Sequence, residues 1–421
     1  MEPKLNSEHR PQTESTAPCD SLGAEIENWL SELARQESHI GSLLRQPAER
    51  QQADGYAATL REICQQPVTW TATASLVCTA RTRLREVIGG CRAVVLTGSG
   101  SSEYAGACVA PGLGRSLGIG AYSIGAGWLL TGGAHALPPE RPLLLVSLAR
   151  SGDSPESAAV VAQLLAADNE VRHLAVTCNR DGRLAREFSA GGRLVPVVLD
   201  ERTNDRSLVM TSSFTNMVLA AGFLGWLDRP DDYLRGAGLM AGMARALLLD
   251  NGDRLAEAAA SGFGRALFLG SAARYGAARE AALKMLEMTD GRVPAIAETY
   301  LGLRHGPMSA VHGDALVVCF LSCAAARPYE LDLIRELNAK GLGARKVIVG
   351  ERIPPELLQP DDIAVECPGM AEAGGDGAPV IDALAGQLLA FFRCRQEGLK
   401  PDSPSASGAI RRVVGTFQIH G

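Results

Sequence analysis

The chain has 421 residues, 46% hydrophobic and 21% charged, which is enough to bury two full cores. A formal net charge of −6 with scattered arginines offers no basic stripe, so a nucleic-acid partner is disfavoured. No apolar run reaches the roughly 20 residues of a membrane span, Met1 to Cys19 lacks the apolar centre of a signal peptide, and the ten cysteines contain no Cys-x-x-Cys. A two-domain, reduced, cytoplasmic chain with no membrane contact and no metal site is the expectation.

Residues 1–20, rich in Glu, Ser, Thr and Pro, read as a flexible leader. Residues 21–88 read as a helical lead-in, because Ile26, Trp29, Leu30, Leu33, Ile40, Leu43 and Leu44 recur with helical period before the pattern resumes from Trp70 to Val87. Such helices would cover a sheet or make a dimer face. A first α/β unit is expected over 89–233. It opens with the apolar strand Ala93 to Leu96, followed by the turn Thr97-Gly-Ser-Gly-Ser-Ser and a helix. Gly100, Ser101 and Ser102 stand where backbone N–H groups and hydroxyls meet a helix N-terminus, a ready site for a phosphate dianion. A dinucleotide site would want glycine in place of Glu103 and an acid about 20 residues on, and residues 118–128 supply none.

A second strand, Leu143 to Ser147, runs into Ala149-Arg-Ser-Gly-Asp-Ser-Pro, where Ser154 and Pro155 start another helix and Ser151 and Gly152 shape the loop. Two Ser-rich turns at neighbouring strand ends can converge on one phosphate; the alternative is a pair of ordinary connecting loops. Strands at His173 to Cys178 and near Leu194 to Leu199 continue the alternation. The hydroxyls of Thr211, Ser212 and Ser213 fall at the start of a further helix, where capping alone could explain them; Thr211 is also kept as a candidate substrate contact.

A second unit is expected over 234–400, after a boundary at Asp228 to Tyr233 and a connecting helical pair. Its strand at Leu267 to Leu269 leads to a helix from Ala277 to Met288, on which Glu280, Lys284 and Glu287 leave one face at i, i+4 and i+7. Either this is a solvated salt ladder, or it is a covered helix carrying a few deliberate charges, as its small apolar neighbours suggest. His305, in Leu-Arg-His-Gly-Pro, is a loop histidine suited to proton transfer. Three strands of the first unit answer to three of the second: Val94 to Ala266, Leu143 to Leu316 and His173 to Arg345, at offsets of 172, 173 and 172. That constancy argues for a duplicated domain. Residues 401–421 form a Pro/Ser-rich, then basic, tail that is either a frayed end or a cover over the site.

Gly98-Ser-Gly-Ser-Ser-Glu-Tyr-Ala-Gly, Arg150-Ser-Gly-Asp-Ser-Pro-Glu-Ser, Thr203-Asn-Asp-Arg-Ser, Arg279-Glu-Ala-Ala-Leu-Lys, Leu303-Arg-His-Gly-Pro and Asp402-Ser-Pro-Ser-Ala-Ser-Gly together resemble the sugar isomerase (SIS) domain family. The likeness covers about residues 55 to 421 and is greatest to its galactosamine-6-phosphate deaminase/tagatose-6-phosphate ketose-aldose isomerase subgroup. The resemblance implies two tandem domains, each a flavodoxin-like parallel sheet flanked by helices, acting on an amino-sugar phosphate without cofactor. By similarity, Ser102, Ser151 and Ser154 would hold the 6-phosphate, with Gly100, Ser101 and Arg150 in the same turns. Glu287 would move the proton between C2 and C1, His305 would open the ring from a neighbouring subunit, and Glu280 with Lys284 would orient them. A homodimer or higher oligomer follows from that sharing. Ala149 stands where many such domains carry serine, and the tail offers Arg411 and Arg412 in place of the lysine that forms an imine in glucosamine-6-phosphate synthase. A plain aldose/ketose isomerase and a catalytically silent sugar-phosphate sensor are the competing readings.

Overall fold

A computed structural model describes residues 20–188, 192–373, 378–415 and 417–420, so the expected leader lies outside the described residues except for Asp20. Two five-stranded sheets carry the fold. The first contains β1 (Ala93–Thr97), β2 (Gly120–Ser123), β3 (Leu143–Ala149), β4 (Val171–Thr177) and β5 (Leu194–Val198) in the order β2-β1-β3-β4-β5. The second contains β6 (Arg265–Leu269), β7 (Ala295–Glu298), β8 (Ala315–Phe320), β9 (Arg345–Gly350) and β10 (Ile363–Glu366) in the equivalent order, β7-β6-β8-β9-β10. Every pairing is parallel.

Central strands of such sheets are covered on both faces, which is why β1, β3 and β8 are buried along their whole length and read as unbroken apolar runs. In each sheet the winding reverses beside the first strand, and the crevice outside the strand ends at that reversal is the place where a ligand can reach backbone N–H groups.

Five helices set the geometry around those crevices: α1 (Gln66–Thr79), α2 (Ser101–Leu117), α3 (Ser212–Gly222), α4 (Ala273–Met288) and α5 (Pro379–Gln396). The two halves meet where α4 packs on α2, and α4 also packs on α5 within the second half. The sequence places α4 four residues too late at its N-terminus, because Ala273 to Gly276 carry no periodic apolar signal. Within the lead-in one helix, α1, packs into the interior: it lies against α3, with Trp70 Nε1 donating to Thr215 Oγ1 at 2.9 Å and Gln66 Nε2 to Gln387 Oε1 of α5 at 2.8 Å. No helix among the described residues is long and apolar enough to cross a membrane.

One buried ion pair fastens α4 to α5. Arg274 Nε and Nη2 reach Asp382 Oδ2 and Oδ1 at 2.6 and 2.7 Å, with both side chains almost fully covered. Removing one partner strands a buried charge, whereas removing both leaves only packing to repair. Asp382→Ala is therefore expected to lower urea-unfolding stability by about 3–5 kcal/mol, and the double change Arg274→Met with Asp382→Leu to recover most of the loss. A single variant as stable as the parent contradicts this role.

Candidate active site

The face of α4 that carries Glu280, Lys284 and Glu287 is covered, so the salt-ladder reading of this stretch is wrong. Lys284 and Glu280 are fully buried and Glu287 keeps 23% of its side chain exposed. The Lys284 ammonium donates to Glu287 Oε2 at 2.5 Å and to Ser101 Oγ, at the N-terminus of α2, at 3.1 Å. It lies 3.3 Å from Glu280 Oε1, yet neither Glu280 oxygen has a hydrogen bond of proper geometry, so the ammonium acts on that carboxyl chiefly as a charge. Burial pushes Glu280 up to about 7 against the opposing pull of Lys284. Burial alone would depress the lysine, but the Glu280 and Glu287 carboxylates outweigh it and raise Lys284 above its ordinary value.

Glycines shape the two Ser-rich turns. Gly100 adopts φ +57° immediately before α2, and a Cβ on Gly98 would come within 2.5 Å of the Ser102 side chain. Ser101 and Ser102 are buried in the first turn of the helix. In the second turn Gly152 sits at φ +72°, Ser151 Oγ accepts the Asp153 N–H at 3.2 Å, and Ser154 Oγ donates to Ser157 Oγ at 3.1 Å. A cavity of about 680 Å³ opens beside the first turn, lined by Gly98, Ser99, Gly100, Glu103, Ser123 and Glu156 among others. Ser99 Oγ and Glu156 Oε2 are buried there without a hydrogen-bond partner. Ser151 and the three charged α4 residues do not line that cavity.

Two sequence candidates are committed elsewhere. Arg150 is buried and spends its guanidinium on main-chain carbonyls: those of Ser207, Leu208 and Val209 at 3.1–3.3 Å, and that of Arg412 in the tail. It clamps the loop and the tail rather than presenting donors to an anion. Burial is the main influence on its charge, lowering its pKa, and the carboxylates of Asp205, Glu287 and Glu62 oppose that shift. Thr211 donates its hydroxyl to Asp205 Oδ1 at 3.0 Å, while Asp205 also accepts from the main-chain N–H groups of Thr211, Ser212 and Ser213. Asp205 caps α3, and Thr211 spends its hydroxyl on that carboxylate without capping the helix itself.

Sequence reasoning misses the network behind these contacts. Glu62 accepts from the N–H of Arg206 and from the N–H and hydroxyl of Ser207, and burial, reinforced by Asp205, pushes its carboxyl up to about 7. Arg412 completes the network by donating to the Asp205 carbonyl and to Asn204 Oδ1, both at 2.7 Å. Asp402 accepts from the N–H and hydroxyl of Thr59, and its own carbonyl accepts from Leu208. The tail is thus folded onto the first half through 402–412, which overturns the frayed-end alternative over that stretch. The acidic loop at Thr203 to Ser207 is the one signal that could have been read, because an Asp a few residues before a helix is a capping candidate.

His305 stands apart. It lies on the loop after edge strand β7, exposed, and among the described residues its imidazole has no hydrogen-bond partner and no contact with Glu287 or Lys284. The chain therefore brings together Ser101, Glu280, Lys284 and Glu287 and leaves His305 outside.

Two doubly wound sheets, with a serine turn from one half hydrogen-bonded to an acid-bearing helix from the other, define a tandem sugar isomerase protein of the phosphosugar isomerase class. No protein-family model matches the sequence. An AgaS protein of Streptomyces coelicolor is 36% identical over 375 residues, covering 87% of this chain and 96% of the relative. D-galactosamine-6-phosphate deaminase AgaS of Escherichia coli O157:H7 is 33% identical over 340 residues, 78% of this chain and 85% of the relative. The crystal structure of tagatose-6-phosphate ketose/aldose isomerase from Escherichia coli matches with a TM-score of 0.77 at 28% identity, covering 87% of this chain and 97% of that one. The chain belongs to the AgaS family.

The two raised carboxyls make stability depend on pH in a defined direction. Between the unfolded value of 4.5 and the folded value of about 7, the native chain keeps protons on Glu280 and Glu62 that the unfolded chain has shed. Unfolding then releases protons, so stability falls as pH rises through that window. Glu280→Gln is expected to flatten the decline in urea-unfolding stability between about pH 5 and pH 7. An unchanged slope contradicts a buried, proton-holding Glu280.

Proposed function

We propose that the protein deaminates and isomerises an amino-sugar 6-phosphate, converting galactosamine 6-phosphate to tagatose 6-phosphate and ammonia. The observation that carries this reading is the Lys284 ammonium held between Ser101 of the first half and Glu287 of the second, which sets a carboxylate base against an anion-binding turn. The substrate itself is taken from the relatives' names, deaminase in sequence and ketose/aldose isomerase in structure.

In this reading the N-terminus of α2 and the hydroxyls of Ser102, Ser151 and Ser154 hold the phosphate. Once the ring is open, the C1 aldehyde acidifies the C2–H bond. Glu287 takes that proton, the electron pair forms a C1=C2 bond and the charge moves to O1, which takes a proton to give an enaminol. The C2 nitrogen lone pair then forms a C2=N bond as C1 takes the proton back from Glu287, leaving a C2 iminium to which water adds and from which ammonia departs. Lys284 orients Glu287, while Glu280 flanks the lysine from its buried side. His305 serves ring opening, reaching the site from a second copy of the chain; its exposed, unpartnered imidazole supports that arrangement and a homo-oligomer. A reduced, cytoplasmic setting suits the nine free cysteines among the described residues.

Glu287→Gln is expected to lower kcat by roughly 10²-fold or more, the scale of a positioned acid/base, with phosphate-ester binding nearly intact; undiminished ammonia release removes the base assignment. Ser151→Ala should raise KM with little change in kcat, and an unaltered KM counts against the phosphate turn. Ammonia assayed on amino and plain hexose phosphates separates deamination from simple aldose/ketose isomerisation.

A further inference from the structure

The tail that follows α5 leaves the second half and fastens to the first. Asp402 and Arg412 anchor it. Among the described residues, every hydrogen bond these two make beyond the tail goes to residues 55–59, to Arg150 or to the loop at 204–208. The lead-in helix Ala57–Cys64 receives no side-chain cap from Tyr56, and Asp402 supplies one from the far end of the chain: its carboxylate accepts from the N–H groups of Ala58 and Thr59 at 3.3 and 2.8 Å. The Asp402 N–H donates to the Gly55 carbonyl at 2.8 Å, and its own carbonyl accepts from Leu208 at 3.1 Å. Glu62, on the same helix, holds the N–H groups of Arg206 and Ser207. Helix, Asp402 and Arg412 thus grip the loop at 204–208 from three directions.

Arg150 joins this assembly to the second serine turn. It stands between the end of β3 at Ala149 and Ser151, and it is buried. A guanidinium presents five donors in a rigid planar fork, so one side chain can serve two partners at once. Nη1 reaches the carbonyls of Ser207, Leu208 and Val209 at 3.1–3.3 Å while Nη2 donates to the carbonyl of Arg412. The turn beyond Arg150 has its own supports: the Ser151 carbonyl accepts from Asn179 Nδ2 at 2.9 Å, and Asp153 Oδ1 accepts from the Arg183 N–H at 3.0 Å. Tail, loop and turn form one piece while Arg150 spans them.

We propose that Arg150 is a positioning residue that couples the tail to the second serine turn, so that docking of the tail and binding of a phosphate ester on Ser151 and Ser154 strengthen each other. Arg150 does not touch the ester. It acts through the backbone it shares with Ser151 and through the loop and tail carbonyls it gathers. A coupling between two binding equilibria is reciprocal: the factor by which tail docking tightens the ester is the factor by which the ester tightens the tail. The inference rests on the reading of the second serine turn as a phosphate site.

Tryptic cleavage after the exposed Arg411, measured with and without saturating galactitol 6-phosphate, tests it, since that hexitol ester has neither carbonyl nor amine to react. In the parent chain the ester is expected to slow this cleavage by about fivefold or more. Arg150→Met should cleave rapidly with or without ester, weaken ester binding by about the same factor, and raise KM for the amino-sugar phosphate with little change in kcat. Arg150→Lys, whose single ammonium cannot span both sets of carbonyls, should recover part of each effect. Asp402→Ala frees the tail at its other anchor, away from the turn, and should shift cleavage and KM in the same sense. The coupling is overturned if the ester binds the parent without protecting the tail, or if Arg150→Met and Asp402→Ala free the tail and leave ester binding unaltered. Ester binding undiminished in Ser151→Ala defeats instead the phosphate reading on which the coupling stands. Should Arg150→Met fail to fold, Asp402→Ala decides.

Discussion

One buried ammonium holds the two halves of this protein in working register. Lys284 has no exposed surface, so its charge is tolerable only because Glu280 and Glu287 flank it and Ser101 accepts one of its hydrogen bonds. That fourfold arrangement draws the N-terminus of α2, where an anion can be held, against the acid-bearing face of α4. On the proposed reading neither half alone contains both functions. The serine turns belong to the first sheet and the carboxylates to the second, so the interlobe packing of α2 on α4 is a condition of the chemistry as well as of stability.

Duplication followed by unequal loss explains much of the remaining design. Both halves keep the same strand order and the same strained turn before the first helix, yet the second has Ala273 and Arg274 where the first has Ser101 and Ser102. In the second half Arg274 occupies the position of Ser102 and turns inward to Asp382, so an interhelical fastening stands where the first half has a serine turn. The first half, in turn, carries Cys108 and Gly112 where the second has Glu280 and Lys284. Each copy lacks residues that the other carries at the matching positions.

The alternation of strands and helices, the repeat at a constant offset and the covered acidic helix were legible because each is a local or periodic property of the chain. The four-residue strands β2, β7 and β10 were not, since they are short and partly exposed and so lack the continuous apolar run that marks β1 or β3. Arg150 and Thr211 sit in turns that advertise anion binding, but their donors are consumed by partners 57 to 262 residues away for Arg150 and by Asp205 for Thr211. Glu62 gave no signal at all, because its contacts with the Arg206–Ser207 backbone span 144 and 145 positions. Side-chain pairing over such distances is set by tertiary packing, which spacing alone does not encode.

The most direct test of this account is a crystal structure of the Glu287→Gln chain with galactosamine 6-phosphate bound. The account predicts the phosphate on the turns at Ser101, Ser102, Ser151 and Ser154, and C2 within about 3.5 Å of the substituted side chain at position 287, the range of a reacting pair. A phosphate seated away from both turns, or a C2 beyond the reach of position 287 in every subunit arrangement, contradicts it.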